Sequence, residues 1–322
     1  MERFLVTGSS GHLGEALVRT LRADGVGVTG LDRTSSPWTD VVAPLSDRAA
    51  LAHALTGVTH VLHTATLHKP HVGSHTRQDF VDSNVSGTLA VLECAAAAGV
   101  AGVVFTSSTS AFGRALIGEG RVTWIDESVV PRVRNIYGAT KTAAEELCEL
   151  AAQDPGLPVV VLRTSRFFPE ADDRDDVRQR FDDAATKLVE FCHRRVDLAD
   201  VVSAHLAAAR RAPELGFARY VISAPTPFTR DDLAGLATDV PAVLARRAPE
   251  VAALLDERGW AVPGVDRVYS SARAVAELGW RPRWDARAIA ERLRSGAGPG
   301  SPLAAEVGTK GYHAEPTGVY TS

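Results

Sequence analysis

The apolar run Phe4-Leu5-Val6-Thr7 passes directly into Gly8-Ser9-Ser10-Gly11-His12-Leu13-Gly14, and a segment of helical period starts at once. Three glycines at a strand-to-helix turn constrain the chain strongly, because each has a physical task. Gly8 permits the tight turn, Gly11 lets backbone N–H groups approach a pyrophosphate, and Gly14 lets the helix pack closely on the sheet. Glycine-rich turns alone are common; here the strand before, the helix after and an acid ending the second apolar run all agree. That acid is Asp32. A carboxylate there accepts hydrogen bonds from both adenosine ribose hydroxyls and repels a 2′-phosphate, so NAD is expected rather than NADP, although the neighbouring Arg33 is able to hold a 2′-phosphate. Ser10, His12 and Leu13 are expected to line the cofactor together with the three glycines.

Beyond the turn, short apolar runs alternate with longer segments. Residues 4–7, 26–31, 58–64, 103–107, 159–163 and 220–223 read as strands. Residues 14–24, 45–55, 84–98 and 137–153 carry apolar side chains at intervals of three and four and read as helices. Strand followed repeatedly by helix predicts an α/β fold: a Rossmann-type doubly wound parallel sheet with helices on both faces. The regularity ends after Arg163, where 169–183 is acidic and loop-like and 225–294 mixes helices with Pro and Gly breaks. The expected organisation is an NAD-binding domain at 1–168, completed by about 196–223, and a smaller α/β substrate lobe at 169–195 and 224–294. A C-terminal tail at 295–322, rich in Gly, Pro and Ser, has no period.

Composition excludes several classes. A chain of 322 residues that is 45% hydrophobic and 23% charged can bury a large core and lacks the polar excess that prevents collapse. A net charge of -4, with 35 basic residues dispersed among 39 acidic ones, gives no electrostatic footprint for nucleic acid. No run approaches the ~20 apolar residues of a membrane span, and the first residues lack the basic and apolar regions of a signal peptide. Cys94, Cys148 and Cys192 have no close spacing of a zinc or redox motif and read as buried thiols, so a cytoplasmic protein is expected.

Lysine occurs at only four positions, 69, 141, 187 and 310, and one of them lies in Tyr137-Gly138-Ala139-Thr140-Lys141. Residues four apart at a helix start share a face one turn apart, so Tyr137 and Lys141 can meet one ligand. A nearby ammonium and an oxidised nicotinamide both stabilise a phenolate, which would let Tyr137 exchange a hydroxyl proton while hydride moves. Upstream, Phe105-Thr106-Ser107-Ser108-Thr109-Ser110 ends a buried strand with hydroxyls at its carboxyl edge, where ligands bind in open α/β sheets. Ser108 is the candidate for holding the reacting oxygen.

These residues resemble the extended short-chain dehydrogenase/reductases, the NAD-dependent epimerase/dehydratase family that includes the UDP-glucose 4-epimerases. The likeness extends to Val61-Leu62-His63-Thr64-Ala65, similar to the family's strand beside the cofactor, and to Asn84-Val85-Ser86-Gly87-Thr88, like its Asn-x-x-Gly-Thr segment. Leu162-Arg163, Asp200-Val201-Val202 and Glu277-Leu278-Gly279-Trp280-Arg281-Pro282 continue it. The resemblance implies that Ser108, Tyr137 and Lys141 form the catalytic triad. It further implies that Lys141 also binds the nicotinamide ribose, that Thr64 and Ala65 lie beside the cofactor, and that Asn84 supports the active-site strand. It implies a homodimer too, built on helices 84–98 and 137–153.

Departures from the family pattern bear on substrate. Thr109 and Ser110 stand where sugar dehydratases have Asp and Glu, so dehydration is not expected. Arg166 stands where the epimerases have asparagine, and His193 falls near their phosphate-binding arginine, with Arg194 and Arg195 as possible substitutes. The stretch 164–199 is shorter than in nucleotide-sugar members. These features favour net oxidation or reduction of a polar, sugar-like small molecule, with a sugar 4-epimerase as the alternative and a non-catalytic NAD-binding sensor as a third reading. His68, Thr109, Ser110, Arg166, Phe168 and Arg195 are the candidate substrate contacts. His68, His71 and His75 share one loop, but without a carboxylate or thiol at fixed spacing no metal is expected, and His68 or His71 could instead assist proton transfer. Phe167, Phe168 and Trp124 could wall a substrate or belong to the core.

Overall fold

The structure, a computed structural model, describes residues 2–118, 120–172 and 174–310. Its strands are β1 (Arg3–Thr7), β2 (Gly27–Asp32), β3 (Val41–Val42), β4 (His60–His63), β5 (Gly102–Ser108), β6 (Thr123–Ile125), β7 (Val159–Thr164), β8 (Phe217–Ile222) and β9 (Arg267–Tyr269). The chain divides into two compact units. The first comprises residues up to Ala111, Val133–Arg163 and Ala204–Tyr220; the second comprises Phe112–Arg132, Thr164–Ser203 and the chain from Val221 on.

In the first unit seven strands stand in the order β3-β2-β1-β4-β5-β7-β8. β1 pairs in parallel with β2 and with β4, so Thr7 lies opposite both Leu31 and His63. The chain leaves β1 toward one edge and returns beyond it to β4, which makes the carboxyl ends of β1 and β4 the switch point where open sheets of this kind bind ligands. Alternate residues of the strands cover opposite faces. Val61, Val103, Phe105, Val159 and Val161 pack in one core with Leu51, Val91, Ala95, Ala144 and Cys148, which come from helices Arg48–Ala54, Gly87–Ala97 and Ile136–Gln153. Phe4, Val6, Leu62, Val104 and Val160, between them in register, are also fully buried, so both faces are covered as the near-continuous apolar runs require.

The second unit has a two-stranded parallel sheet of β6 and β9, with Trp124 opposite Val268. Neither strand was expected, because each has three residues and its partner is distant in sequence. The core gathers Leu188, Val243, Leu244, Val251, Leu254 and Ile289 from helices Asp183–Phe191, Val240–Arg247, Pro249–Glu257 and Ala286–Arg294, and Trp124 packs against it. The acidic run is not simply a loop. Residues Asp175–Arg180 form a helix with Asp175 and Asp176 in the first turn and Arg178 and Arg180 in the last, which matches the helix dipole. Asp173 and residues 311–322 lie outside the described residues.

Two carboxylates at the start of helix Leu198–Leu215 tie down the later chain. Asp200 accepts the N–H groups of Arg283 and Trp284, and the Trp280 indole donates to the Asp200 carbonyl and the Ser203 hydroxyl. Asp197 accepts the N–H of Ser301, whose hydroxyl caps helix Pro302–Val307. The described part of the stretch read as a tail without a period therefore holds a helix. Among the described residues no helix is long and apolar enough to cross a membrane. Trp280→Phe keeps the buried ring but removes the donor, and is expected to lower unfolding free energy by about 1–2 kcal/mol in urea titration.

Candidate active site

Gly8 sits at φ +76°, and a Cβ there would lie 2.7 Å from the Ala65 nitrogen and 2.8 Å from Thr64 Oγ1. At Gly14 a Cβ would lie 1.9 Å from the Gly8 carbonyl oxygen, so the helix starts against the turn itself. Gly11 is the N-cap of helix His12–Ala23 and offers it no side-chain acceptor, which leaves the first N–H groups for another acceptor. A backbone cradle that any side chain would fill, at an uncapped helix start, fits a pyrophosphate. His12 and Leu13 are buried in the first turn of this helix. Asp32 ends β2 and accepts the N–H of Ser10 at 3.1 Å and of Thr34 at 2.9 Å, which fixes its carboxylate beside the turn. Arg33 is exposed.

Ser108 ends β5, and its hydroxyl oxygen accepts the Ser110 N–H at 3.1 Å. Tyr137 opens helix Ile136–Gln153, which Asn135 caps by accepting the Gly138 N–H. The Ser108 hydroxyl lies near the Tyr137 phenol. Burial pushes the phenol up to about 12, only partly offset by that hydroxyl. Lys141, one turn on, is 2% exposed and donates to the Thr106 carbonyl at 2.8 Å, with its ammonium 4.6 Å from the Phe105 ring centre. Burial draws Lys141 down to about 7, against the opposing charge of the Glu145 carboxylate. The phenol is thus raised, not lowered, in the chain by itself.

Asn84 lies in a π-helical turn, Asp82–Ser86, and its amide is fully engaged. Its oxygen accepts the Leu67 N–H and the Thr66 hydroxyl, while its nitrogen donates to the Leu67 carbonyl and to Thr140 Oγ1. It therefore clamps the loop after β4 to the helix that carries Tyr137. Residues that the sequence reading passed over complete this region. Glu145 accepts the Ser107 hydroxyl and pairs with Arg163 through both carboxylate oxygens, all buried. Thr140 lay inside the Tyr-x-x-x-Lys run, but nothing in that run signals its partner.

The candidate substrate residues fall in different units. Thr109 is buried and Ser110 half-buried directly after Ser108, and Gly138 lies so close that a Cβ would come within 2.8 Å of the Ser110 carbonyl. His68 is buried, and its ring meets that of His71 edge-on at 4.5 Å, while His71 Nδ1 accepts the His68 N–H. The His71 ring meets that of His75 edge-on at 5.1 Å, and among the described residues no group of three or more such side chains is placed to hold a metal.

Arg166, Phe168 and Arg195 belong to the second unit and come together there. Arg166 and Arg195 form an isolated parallel bridge, and Arg195 donates to the Phe168 carbonyl and pairs with Glu190 at 2.8 Å. Glu190 also pairs with Arg194 at 2.9 Å, and Asp172 takes Arg166 at 3.3 Å and Arg194 at 3.4 Å. The charges of Arg195, Arg194 and Arg166 outweigh burial and hold Glu190 at about 2. His193 is buried and bonded to the Arg267 carbonyl at 2.9 Å, and burial with the Arg194 charge takes it down to about 3.

His63 at the end of β4 is likewise held at about 3, by burial and then by the Lys141 charge. Both histidines fold neutral, so each contributes stability that is present above the ordinary value of 6.5 and lost as pH falls toward 3. The urea midpoint is expected to drop between about pH 7.5 and about pH 5, before most carboxylates titrate.

The chain is similar in sequence and in fold to known proteins. A ketoreductase of Stigmatella aurantiaca, acting on 4-hydroxy-2-methyl-3-oxo-4-farnesyl-3,4-dihydroquinoline-1-oxide, is 33% identical over 66% of this chain and 65% of its own length. A 2-alkyl-3-oxoalkanoate reductase of Stenotrophomonas maltophilia is 30% identical over 64% of this chain and 63% of its own. The matched stretch thus spans less than two thirds of either relative. Among solved structures, a short-chain dehydrogenase/reductase superfamily protein from Agrobacterium tumefaciens with bound NAD is 25% identical, with a TM-score of 0.63 over 91% of this chain and 98% of that one. A UDP-glucose 4-epimerase from Thermotoga maritima, 20% identical with a TM-score of 0.63 over 91% of this chain and 99% of that one, shares the fold. Residues 4–221 match the family model, and the chain belongs to the NAD dependent epimerase/dehydratase family.

Proposed function

We propose that this chain is an NAD-dependent oxidoreductase that interconverts a secondary alcohol and a ketone on a small molecule. The observation that carries this reading is that Tyr137, near the Ser108 hydroxyl, and Lys141 one turn further along the same helix are both buried. Gly8, Ser10, Gly11, His12, Leu13 and Gly14 would hold the pyrophosphate at the helix start. Asp32 would take the adenosine ribose, with Arg33 at its rim and Thr64 and Ala65 beside the turn. When bound, reduced NAD supplies the hydride to the carbonyl carbon. Tyr137 gives its proton to the carbonyl oxygen, Ser108 holds that oxygen by a hydrogen bond, and the Lys141 ammonium stabilises the phenolate left behind. Asn84 positions the helix rather than touching substrate. A phenol at about 12 is protonated at neutral pH, which is the state that reduces a ketone.

Net reduction is favoured over epimerisation of a nucleotide sugar because Arg166, Arg194 and Arg195 already face Glu190 and Asp172. A polar, sugar-like ketone is one class to screen. The relatives' substrates add ketones on alkyl or isoprenoid chains. A sugar epimerase would use the same three side chains, and purified protein holding stoichiometric, non-exchanging NAD would favour it. For a reductase Tyr137→Phe is expected to lower kcat by roughly 10²–10⁴-fold while NAD still binds in fluorescence titration; unchanged turnover would refute the assignment.

The same reading includes a homodimer in the cytoplasm. Helices Gly87–Ala97 and Ile136–Gln153 pack together and leave Leu89 37% and Leu150 55% exposed. Leu150→Glu is expected to shift sedimentation toward the monomer with the helical spectrum unchanged.

A further inference from the structure

His63 is 1% exposed and touches two hydroxyls, Thr7 Oγ1 at 2.7 Å from Nδ1 and Thr88 Oγ1 at 3.0 Å from Nε2. Thr88 donates its single proton to the Asn84 carbonyl at 2.7 Å, so toward His63 it must accept. The imidazole proton therefore sits on Nε2, and Nδ1 accepts from Thr7. The Thr7 oxygen in turn faces the Ala65 N–H at 3.4 Å. Every bond runs in one direction, from Ala65 through Thr7, His63 and Thr88 to Asn84.

The two ends of this chain of bonds belong to the two halves of the site. Thr7 is the last residue of β1, next to Gly8, and its carbonyl accepts the Thr64 hydroxyl at 2.8 Å. Asn84 holds the loop at Leu67 and reaches Thr140 on the Tyr137 helix. We propose that His63 is a positioning residue, a neutral spacer that sets the glycine turn against Asn84 and so keeps the nucleotide-binding turn in register with the Tyr137 helix. An apolar ring of the same size would fill the space but leave two buried hydroxyls without this partner. The inference rests on the NAD-binding reading of the turn given above.

The test compares Thr88→Val with Thr88→Ser, by NAD titration and by thermal unfolding. Valine matches threonine in shape but can neither accept nor donate, whereas serine keeps both roles. Thr88→Val is expected to weaken NAD binding roughly tenfold, the scale of one lost buried hydrogen-bond partner, and Thr88→Ser to stay within about twofold of the unchanged protein. Thr88→Ala replaces Thr88→Val if the latter does not fold, with the same expected loss. NAD binding that is unchanged in the valine and alanine variants, or equally weakened by serine, overturns the proposal and leaves the cofactor reading standing. No NAD binding by the unchanged protein overturns the cofactor reading and this proposal with it.

Discussion

Close contact between the turn and the helix that follows it governs the first unit. With only 1.9 Å between an added Cβ at Gly14 and the Gly8 carbonyl, no side chain can enter without moving backbone. That contact brings helix His12–Ala23 over the carboxyl end of β1, directs its N-terminus at the switch point and places Ala65 beside Gly8. Asp32 then closes the turn from β2 through the Ser10 N–H. The turn is packed so closely that a Cβ added at Gly8 or Gly14 would meet backbone.

Tyr137 and Lys141 are governed by burial rather than by pairing. Low local polarity raises Tyr137 and lowers Lys141, so each is pushed toward its uncharged form. A phenol held at about 12 keeps its proton at neutral pH, while an amine held at about 7 is divided there between its two forms. Nearby, Glu145 is held by Arg163 and Ser107, an engaged carboxylate one turn beyond Lys141. Leaving either member of such a pair alone inside the unit would cost several kcal/mol, so the pair constrains β5, β7 and the helix together.

In the second unit the same physics works toward closure. Arg195 is nearly buried and its guanidinium is divided between Glu190 and the Phe168 carbonyl. Arg166 and Arg194 share Asp172. Basic residues that read in the sequence as a possible anion grip thus each pair with a carboxylate of the same unit. His193, buried and neutral, supports the backbone of Arg267.

Much of the architecture was legible in residue order because it depends on local periodicity. The glycine turn, the alternation of strand and helix, and the one-turn spacing of Tyr137 and Lys141 follow from 2.0 and 3.6 residue repeats and from what a glycine permits. Boundaries shifted by a few residues, and the short strands β3, β6 and β9 escaped, since two or three residues carry no period. Tertiary structure alone decided that Lys141 turns to the Thr106 carbonyl and that His63 joins Thr7 to Thr88. It also decided that the arginines face carboxylates. These are contacts between residues far apart in the chain, and packing of a buried polar group against its partner, not the composition of either segment, determines them.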